Sequence, residues 1–155
     1  MPLADFIHLK VRSAYSLTEG ANKVEAIVAL AKAKTGAGKL AAPTKSARRD
    51  NPLCGDRVTI DVRLDDKGQI AEIAHQVRGC LLCQASASAL SSIAVGRDKA
   101  GIAAIRHDAE KAIGREDGEA GEPFAAFAPV KSHKSRQECV LLPFEALQEA
   151  LTTSP

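Results

Sequence analysis

The order of local signals predicts an α+β fold, a small antiparallel β-sheet covered by α-helices, because a helix is followed by a β-hairpin and then by further helices. The clearest signal lies mid-chain. Val58, Ile60, Val62 and Leu64 alternate with Thr59, Asp61, Arg63 and Asp65, the two-residue period of a half-buried strand. Asp66-Lys67-Gly68 then makes a turn, and Ile73, His75 and Val77 alternate beyond it. Residues 57–65 and 69–78 are therefore expected to pair as an antiparallel hairpin.

The helices follow from a different period. Val24, Ile27, Val28, Leu30 and Ala31 fall at helical spacing, with Thr18 and Asn22 as capping candidates, and predict a helix over about 21–34. Thr35-Gly36-Ala37-Gly38 should end it, since Gly tolerates the left-handed conformation found there. The stretch Leu81 to Val95 is rich in Ala and Ser, with Leu82, Ala85, Ala89 and Ile93 on one stripe, as suits a helix lying close on a sheet. Asp98 to Ile113 forms the next, through Ile102, Ile105, Ala109 and Ile113. The Gly- and Glu-rich run 114–121 reads as a mobile surface loop. A last helix runs to about Leu151, and Pro143 is expected in its first turn, where a missing N–H costs nothing.

A chain of 155 residues matches one ordinary domain, so a core can form without disulfide staples. Aromatic residues make up only 3% and Trp is absent, which leaves Ala, Val, Ile and Leu to build that core. A net charge of +2 with acids and bases interspersed creates no field favouring nucleic acid or a membrane surface, so neither is expected as a partner. No apolar run approaches the roughly 20 residues of a membrane span, and the N-terminus lacks the apolar core of a secretory signal. The chain is expected to be cytoplasmic. In that reducing compartment its four cysteines are ligands or redox groups rather than disulfides.

Three of them fall at element boundaries: Cys54 before the first hairpin strand, Cys80 after the second, and Cys139 ahead of the last helix. Two antiparallel strands of similar length return the chain to its starting level, so Cys54 and Cys80 should meet at one end of the sheet. Asp56 can add a hard carboxylate to these thiolates, and three thiolates with one carboxylate form a tetrahedral set suited to Zn2+ or to a labile iron–sulfur cluster. Gly55 leaves the backbone free to turn sharply between them. Cys80 stands at a helix N-terminus, where the dipole favours the nucleophilic thiolate.

Asn51-Pro52-Leu53-Cys54-Gly55-Asp56, Gly79-Cys80-Leu81-Leu82-Cys83-Gln84-Ala85-Ser86-Ala87-Ser88 and Ser135-Arg136-Gln137-Glu138-Cys139 together resemble the NifU/IscU-type iron–sulfur scaffold family, over roughly Lys34 to Leu151. Within it the chain is most similar to the SufU-like branch. The interval from Cys80 to Cys139 is longer than in the IscU branch, placing an insertion within about 98–125, and Glu138 stands where IscU-like proteins carry a histidine. The resemblance implies a SufU/IscU-like sheet with an edge strand near 43–50. It implies Cys54, Asp56, Cys80 and Cys139 as ligands of Zn2+ or a 2Fe–2S cluster, with persulfide sulfur received from a cysteine desulfurase onto Cys54, Cys80 or Cys139. Downstream apo iron–sulfur proteins would be the recipients. Arg136 resembles an arginine that could orient the incoming persulfide or pair with Asp56, and it equally reads as a structural surface arginine. On this reading residues 34–155 are the scaffold domain and 1–33 an atypical leader. Residues 5–33 separately resemble the start of the PHP domain of bacterial DNA polymerase III alpha.

Plainer readings stand beside these. Cys83 could be a core residue, an auxiliary sulfur carrier or a fourth thiolate, and Asp56 could cap a turn. His75 reads as a satisfied half-buried histidine, and His107 and His133 as solvated. The basic cluster Lys45–Arg49 is a solvated face or a docking surface. Three other functions compete with the scaffold: a zinc-dependent sulfurtransferase of SufU type, a small structural zinc protein without sulfur chemistry, and a dithiol oxidoreductase using Cys80 and Cys83.

Overall fold

The computed structural model describes residues 22–153. Helix α1 covers 22–33, followed by strands β1 (Lys45–Asp50), β2 (Arg57–Leu64) and β3 (Ile70–Arg78). Helices α2 (Leu81–Ala94) and α3 (Lys99–Ala112), a 3₁₀ helix (Phe124–Ser132) and α4 (Lys134–Thr152) complete the chain. The strands form one antiparallel sheet in the order β1-β2-β3. The edge strand and the hairpin thus lie within a residue or two of their expected bounds, and residues 1–21, most of the PHP-like stretch, lie outside the described residues.

Register explains the alternation. Val58, Ile60 and Val62 of β2 are fully buried and sit opposite Val77, His75 and Ile73 of β3, so the apolar sets of both strands share one face. Helix α2 covers β3 and helix α4 covers β1 and β2 on that face. Asp65 closes the hairpin: its Oδ1 accepts from the N–H groups of Lys67 and Gln69, both at 2.9 Å. On the opposite face Asp61 is buried, accepting from Ser46 Oγ at 2.6 Å and Leu40 N–H at 3.2 Å. The basic cluster of β1 is partly engaged, with Arg49 pairing with Glu145 and Glu149 of α4 and Lys45 donating to the Leu151 carbonyl.

The structure corrects several expectations. Helix α2 buries more than one stripe: Cys83 and the residues from Ala85 to Ser91 are all buried, while Leu82 and Ile93 are only half-buried. Small side chains let sheet and helices close on it from several sides, and Ser86 and Ser88 are satisfied by the Val140 carbonyl at 2.6 Å and the Thr35 N–H at 3.0 Å. The core is built mainly from Ala, Val, Ile and Leu, as composition suggests, and Phe124, Phe127 and Phe144 join it fully buried, with ring centroids 5.7 and 5.2 Å apart.

Helix α4 begins at Lys134, so Pro143 lies in its interior and Cys139 within the helix rather than ahead of it. A proline there removes the N–H that would pair with the Cys139 carbonyl. The Ser86 hydroxyl donates to the adjacent Val140 carbonyl, so a neighbouring helix supplies polar contact where the ladder is interrupted. The helix therefore continues through the proline because α2 is packed against it. Finally, Lys34 rather than a glycine takes the left-handed conformation that ends α1, with φ of 50°. Ile27 and Ala31 of α1 belong to the same core cluster as the sheet and the later helices.

The 114–121 run is tied to the body of the protein. Arg115 pairs with Glu138 and donates to Gln137 Oε1 at 3.2 Å, and buried Gln137 in turn donates to the Ile113 carbonyl at 3.0 Å. No helix among the described residues is long and apolar enough to cross a membrane.

Candidate metal centre

The loop from β1 to β2 carries Cys54 and Asp56. Its two ends are joined by Asn51 N–H donating to the Asp56 carbonyl at 2.8 Å, and Gly55 N–H donates back to the Asn51 carbonyl at 2.8 Å. Gly55 has φ of 74°, a conformation costly for residues with a Cβ, and this lets two ligand-type residues flank one tight turn. Leu53 and Cys54 project into solvent, whereas Asp56 is buried.

Because Arg57 pairs with Arg78, Gly79 and Cys80 arrive at the same end of the sheet as this loop. Gly79 lies so close to Asp56 that a Cβ there would stand 2.7 Å from the carboxylate carbon. The Cys80 N–H donates to Asp56 Oδ1 at 3.2 Å, and Cys80 is the N-cap residue of α2. Asp56 Oδ2 is buried and has no hydrogen-bond partner among the described residues. Cys139 enters from the second turn of α4, buried, with its Sγ 3.9 Å from that of Cys54.

The outcome is a group drawn from distant parts of the chain. The ligand atoms of Cys54, Asp56 and Cys139 all lie within 4.8 Å of one another. Cys80 Sγ stands outside that triad but beside it. Burial pushes the Cys139 thiol up, and hydrogen bonding and charge from Cys80, then Cys54, push it further. Cys83, three residues into α2, is fully buried, and burial followed by the charges of Asp56, Cys80 and Cys54 pushes its thiol up. A cleft of about 410 Å³ opens beside the group, lined by Cys54, Gly55, Asp56, Arg57, Arg78 and Gly79.

Arg136 is exposed, and Asp56 Oδ2 lacks any partner, so no Arg136–Asp56 pair is formed. Sequence reasoning missed Arg78, which reaches the cleft as the last residue of β3, and Arg115, which holds Glu138 next to Cys139. The register, which pairs Arg78 with Arg57, brings it to the cleft that Cys54 also lines. His75, expected to be half-buried and satisfied, is instead buried, its Nε2 2.8 Å from the Thr35 carbonyl and its Nδ1 without a partner among the described residues, because the register seats it on the helix-covered face opposite Ile60. His107 and His133 are exposed as expected, His107 Nδ1 lying 2.5 Å from Glu116.

A three-stranded sheet backed by helices, with thiols and a carboxylate converging where a hairpin end meets a helix N-terminus and a second helix, defines a sulfur-rich α+β scaffold domain. The chain belongs to the NifU-like N-terminal domain family, which matches residues 24–152. It is 30% identical over 129 residues to the iron–sulfur cluster assembly scaffold protein IscU of Thermotoga maritima, spanning 82% of this chain and 90% of that one. It is 26% identical to IscU of Streptococcus pyogenes, over 71% of this chain and 70% of that one. Among solved structures, the N-terminal NifU-like protein of Brucella abortus superimposes with a TM-score of 0.73 at 29% identity, over 81% of this chain and 89% of the other. A protein of Fervidobacterium islandicum AW-1, described as an iron–sulfur cluster assembly scaffold for the SUF system, does so with a TM-score of 0.75 at 28% identity, over 83% and 95%.

Proposed function

We propose that this protein is an iron–sulfur cluster assembly scaffold or sulfur acceptor, working in the reducing cytoplasm, with Cys54, Asp56, Cys80 and Cys139 as its ligands. The observation that carries this reading is Asp56 Oδ2, a buried carboxylate oxygen with no partner, grouped within 4.8 Å with two thiols. Burying an unpaired carboxylate is costly, and a cation bound by the neighbouring sulfurs would offset that cost. The donor set of soft sulfur and one hard oxygen fits Zn2+ or a 2Fe–2S cluster, which would be held by Cys54, Asp56, Cys139 and the adjacent Cys80.

Each residue has a separate task in this scheme. Cys54 is exposed at the tip of its loop and is the thiol that a donor protein reaches first. It attacks the outer sulfur of a persulfide on a cysteine desulfurase, taking that sulfur and leaving the donor cysteine as a thiol. Cys80 and Cys139 stand behind it to share the sulfur. Asp56 is anchored through the Cys80 N–H and holds the ligand set with one oxygen, a weaker partner than sulfur for soft metals, which favours later release to apo iron–sulfur proteins. Residues 34–155 would carry this chemistry, with α1 packed on their core through Ile27 and Ala31.

Metal and sulfide analysis of the anaerobically purified protein, with Cys139→Ser as control, tests the reading. Iron with stoichiometric sulfide supports assembly, and zinc without sulfide supports the zinc-dependent relay. Neither metal in the wild type, or equal metal in Cys139→Ser, overturns both. Chelation separates the structural zinc alternative, since a structural site should unfold when metal is removed.

A further inference from the structure

The Cys83 thiol is used by none of the steps above, and its position is specific. Cys80 is the N-cap of α2 and Cys83 its third residue. An N-cap side chain is directed at the third residue of its helix, which is how capping hydroxyls reach that N–H. Residues three apart on a helix have Cβ atoms about 5–6 Å apart and a disulfide needs about 4 Å, so closing it takes a backbone adjustment of about 1–2 Å at the helix end together with rotation of the side chains. Cys80 makes no capping hydrogen bond with its side chain, so turning its sulfur toward Cys83 breaks no cap and costs only its contact with Cys139. The two sulfurs also differ in access. Cys80 is partly exposed on the site side, whereas Cys83 has no solvent exposure and lies where the charges of Asp56, Cys80 and Cys54 all reach it. An accessible thiol followed one turn later by a buried one is the arrangement in which the first receives a sulfur and the second resolves it.

We propose that Cys83 is a resolving thiol that converts sulfane sulfur carried on Cys80 into sulfide inside the protein. This rests on the sulfur-acceptor reading and adds to it a source of electrons. In the step, the Cys83 sulfur attacks the inner sulfur of the Cys80 persulfide. The S–S bond between Cys80 and Cys83 forms, and the bond between the Cys80 sulfur and the outer sulfur breaks. The outer sulfur leaves with its own proton and the one given up by the Cys83 thiol, as one molecule of hydrogen sulfide. It gains two electrons, and the two cysteine sulfurs supply them. A dithiol reductant must then reopen the disulfide for another cycle. Burial shields Cys83 from outside oxidants, and because it also disfavours the free thiolate, the attack is coupled to transfer of the Cys83 proton to the departing sulfide.

The experiment uses the full chain, anaerobic and metal-free, pulsed with inorganic polysulfide, desalted, and alkylated at intervals without added reductant. Intact mass and peptide mapping should show the persulfide of Cys80 giving way to a Cys80–Cys83 disulfide, with one sulfide released per persulfide lost. In Cys83→Ser, and in Cys83→Ala should the serine variant fold poorly, the persulfide should persist and release should slow at least tenfold. Equal release from these variants, or wild-type release with no Cys80–Cys83 disulfide, overturns the proposal. Parallel reconstitution with iron and sulfide separates the two readings. If a cluster forms but no disulfide appears, the resolving role alone fails; if neither forms, the scaffold reading fails with it.

Discussion

Two groups in this molecule, Cys54/Asp56/Cys139 and His107/Glu110/Glu116, each hold three ligand-type atoms within 4.8 Å of one another. Their surroundings are opposite. The first is assembled from a strand-connecting loop and a distant helix, and it contains a buried carboxylate oxygen with no partner. The second is built from one helix and the loop after it, is partly exposed, and has one oxygen of each carboxylate engaged. Glu110 accepts from Arg106 at 3.1 Å, and Glu116 lies 2.5 Å from His107. A metal entering the second group would have to displace partners already present, whereas one entering the first supplies a partner that is missing. Proximity of ligand atoms is thus a weak criterion, and an unsatisfied buried atom among soft donors is a strong one.

The largest effect that would sharpen this contrast is expected for Cys80→Ser. Structural zinc sites of four ligands are worth about 10–16 kcal/mol, so losing one thiolate should weaken zinc binding at least about a hundredfold. Competition with a chromogenic chelator measures it, and unchanged affinity would confine the centre to the triad. Next is Ser86→Ala, which removes the hydroxyl donor to Val140, beside Cys139, and should cost about 1–3 kcal/mol in urea unfolding. Gly79→Ala should follow, with zinc affinity reduced about tenfold, because its Cβ would push Asp56 from its place. An unaffected variant would show that Asp56 is not held by that close approach.

His75 tests whether an orphaned buried atom suffices alone, since its Nδ1 is the other such side-chain atom among the described residues. Burial holds His75 below its ordinary value of 6.5, partly opposed by the Thr35 carbonyl. As pH falls below 6.5 the unfolded chain takes up a proton that the folded chain refuses. The contribution is complete above that pH and is lost on acidification, by at most about 1.4 kcal/mol per pH unit. His75→Gln should flatten the stability profile in that window without changing zinc content. The smallest effect is expected for His107→Ala, which should alter zinc affinity less than about twofold if the second group is an ion-paired surface.

The hairpin and the helices were legible because each rests on a local period: Val58 to Leu64 alternates whatever surrounds it, and Asp98, the N-cap whose Oδ1 accepts from Gly101 N–H, marks the start of α3 from sequence alone. Cysteine placement was legible in part, because antiparallel geometry returns Cys80 to the level of Cys54. Local rules misplaced Pro143 and Cys139, since continuing α4 through a proline depends on packing against other elements, among them α2, that no local pattern announces. They also missed the 3₁₀ helix, whose buried Phe124 and Phe127 have no strand or helix period to announce them.

The sequence by itself therefore determined which segments are strands and helices and which residue types can bind soft metals, because propensity and donor chemistry belong to single residues and their neighbours. Tertiary structure alone decided that Asp56 Oδ2 is buried without a partner, that Cys139 closes on Cys54, and that Cys83 lies sealed beneath Cys80. Burial and convergence depend on contacts between elements far apart in the chain, and no local pattern encodes them.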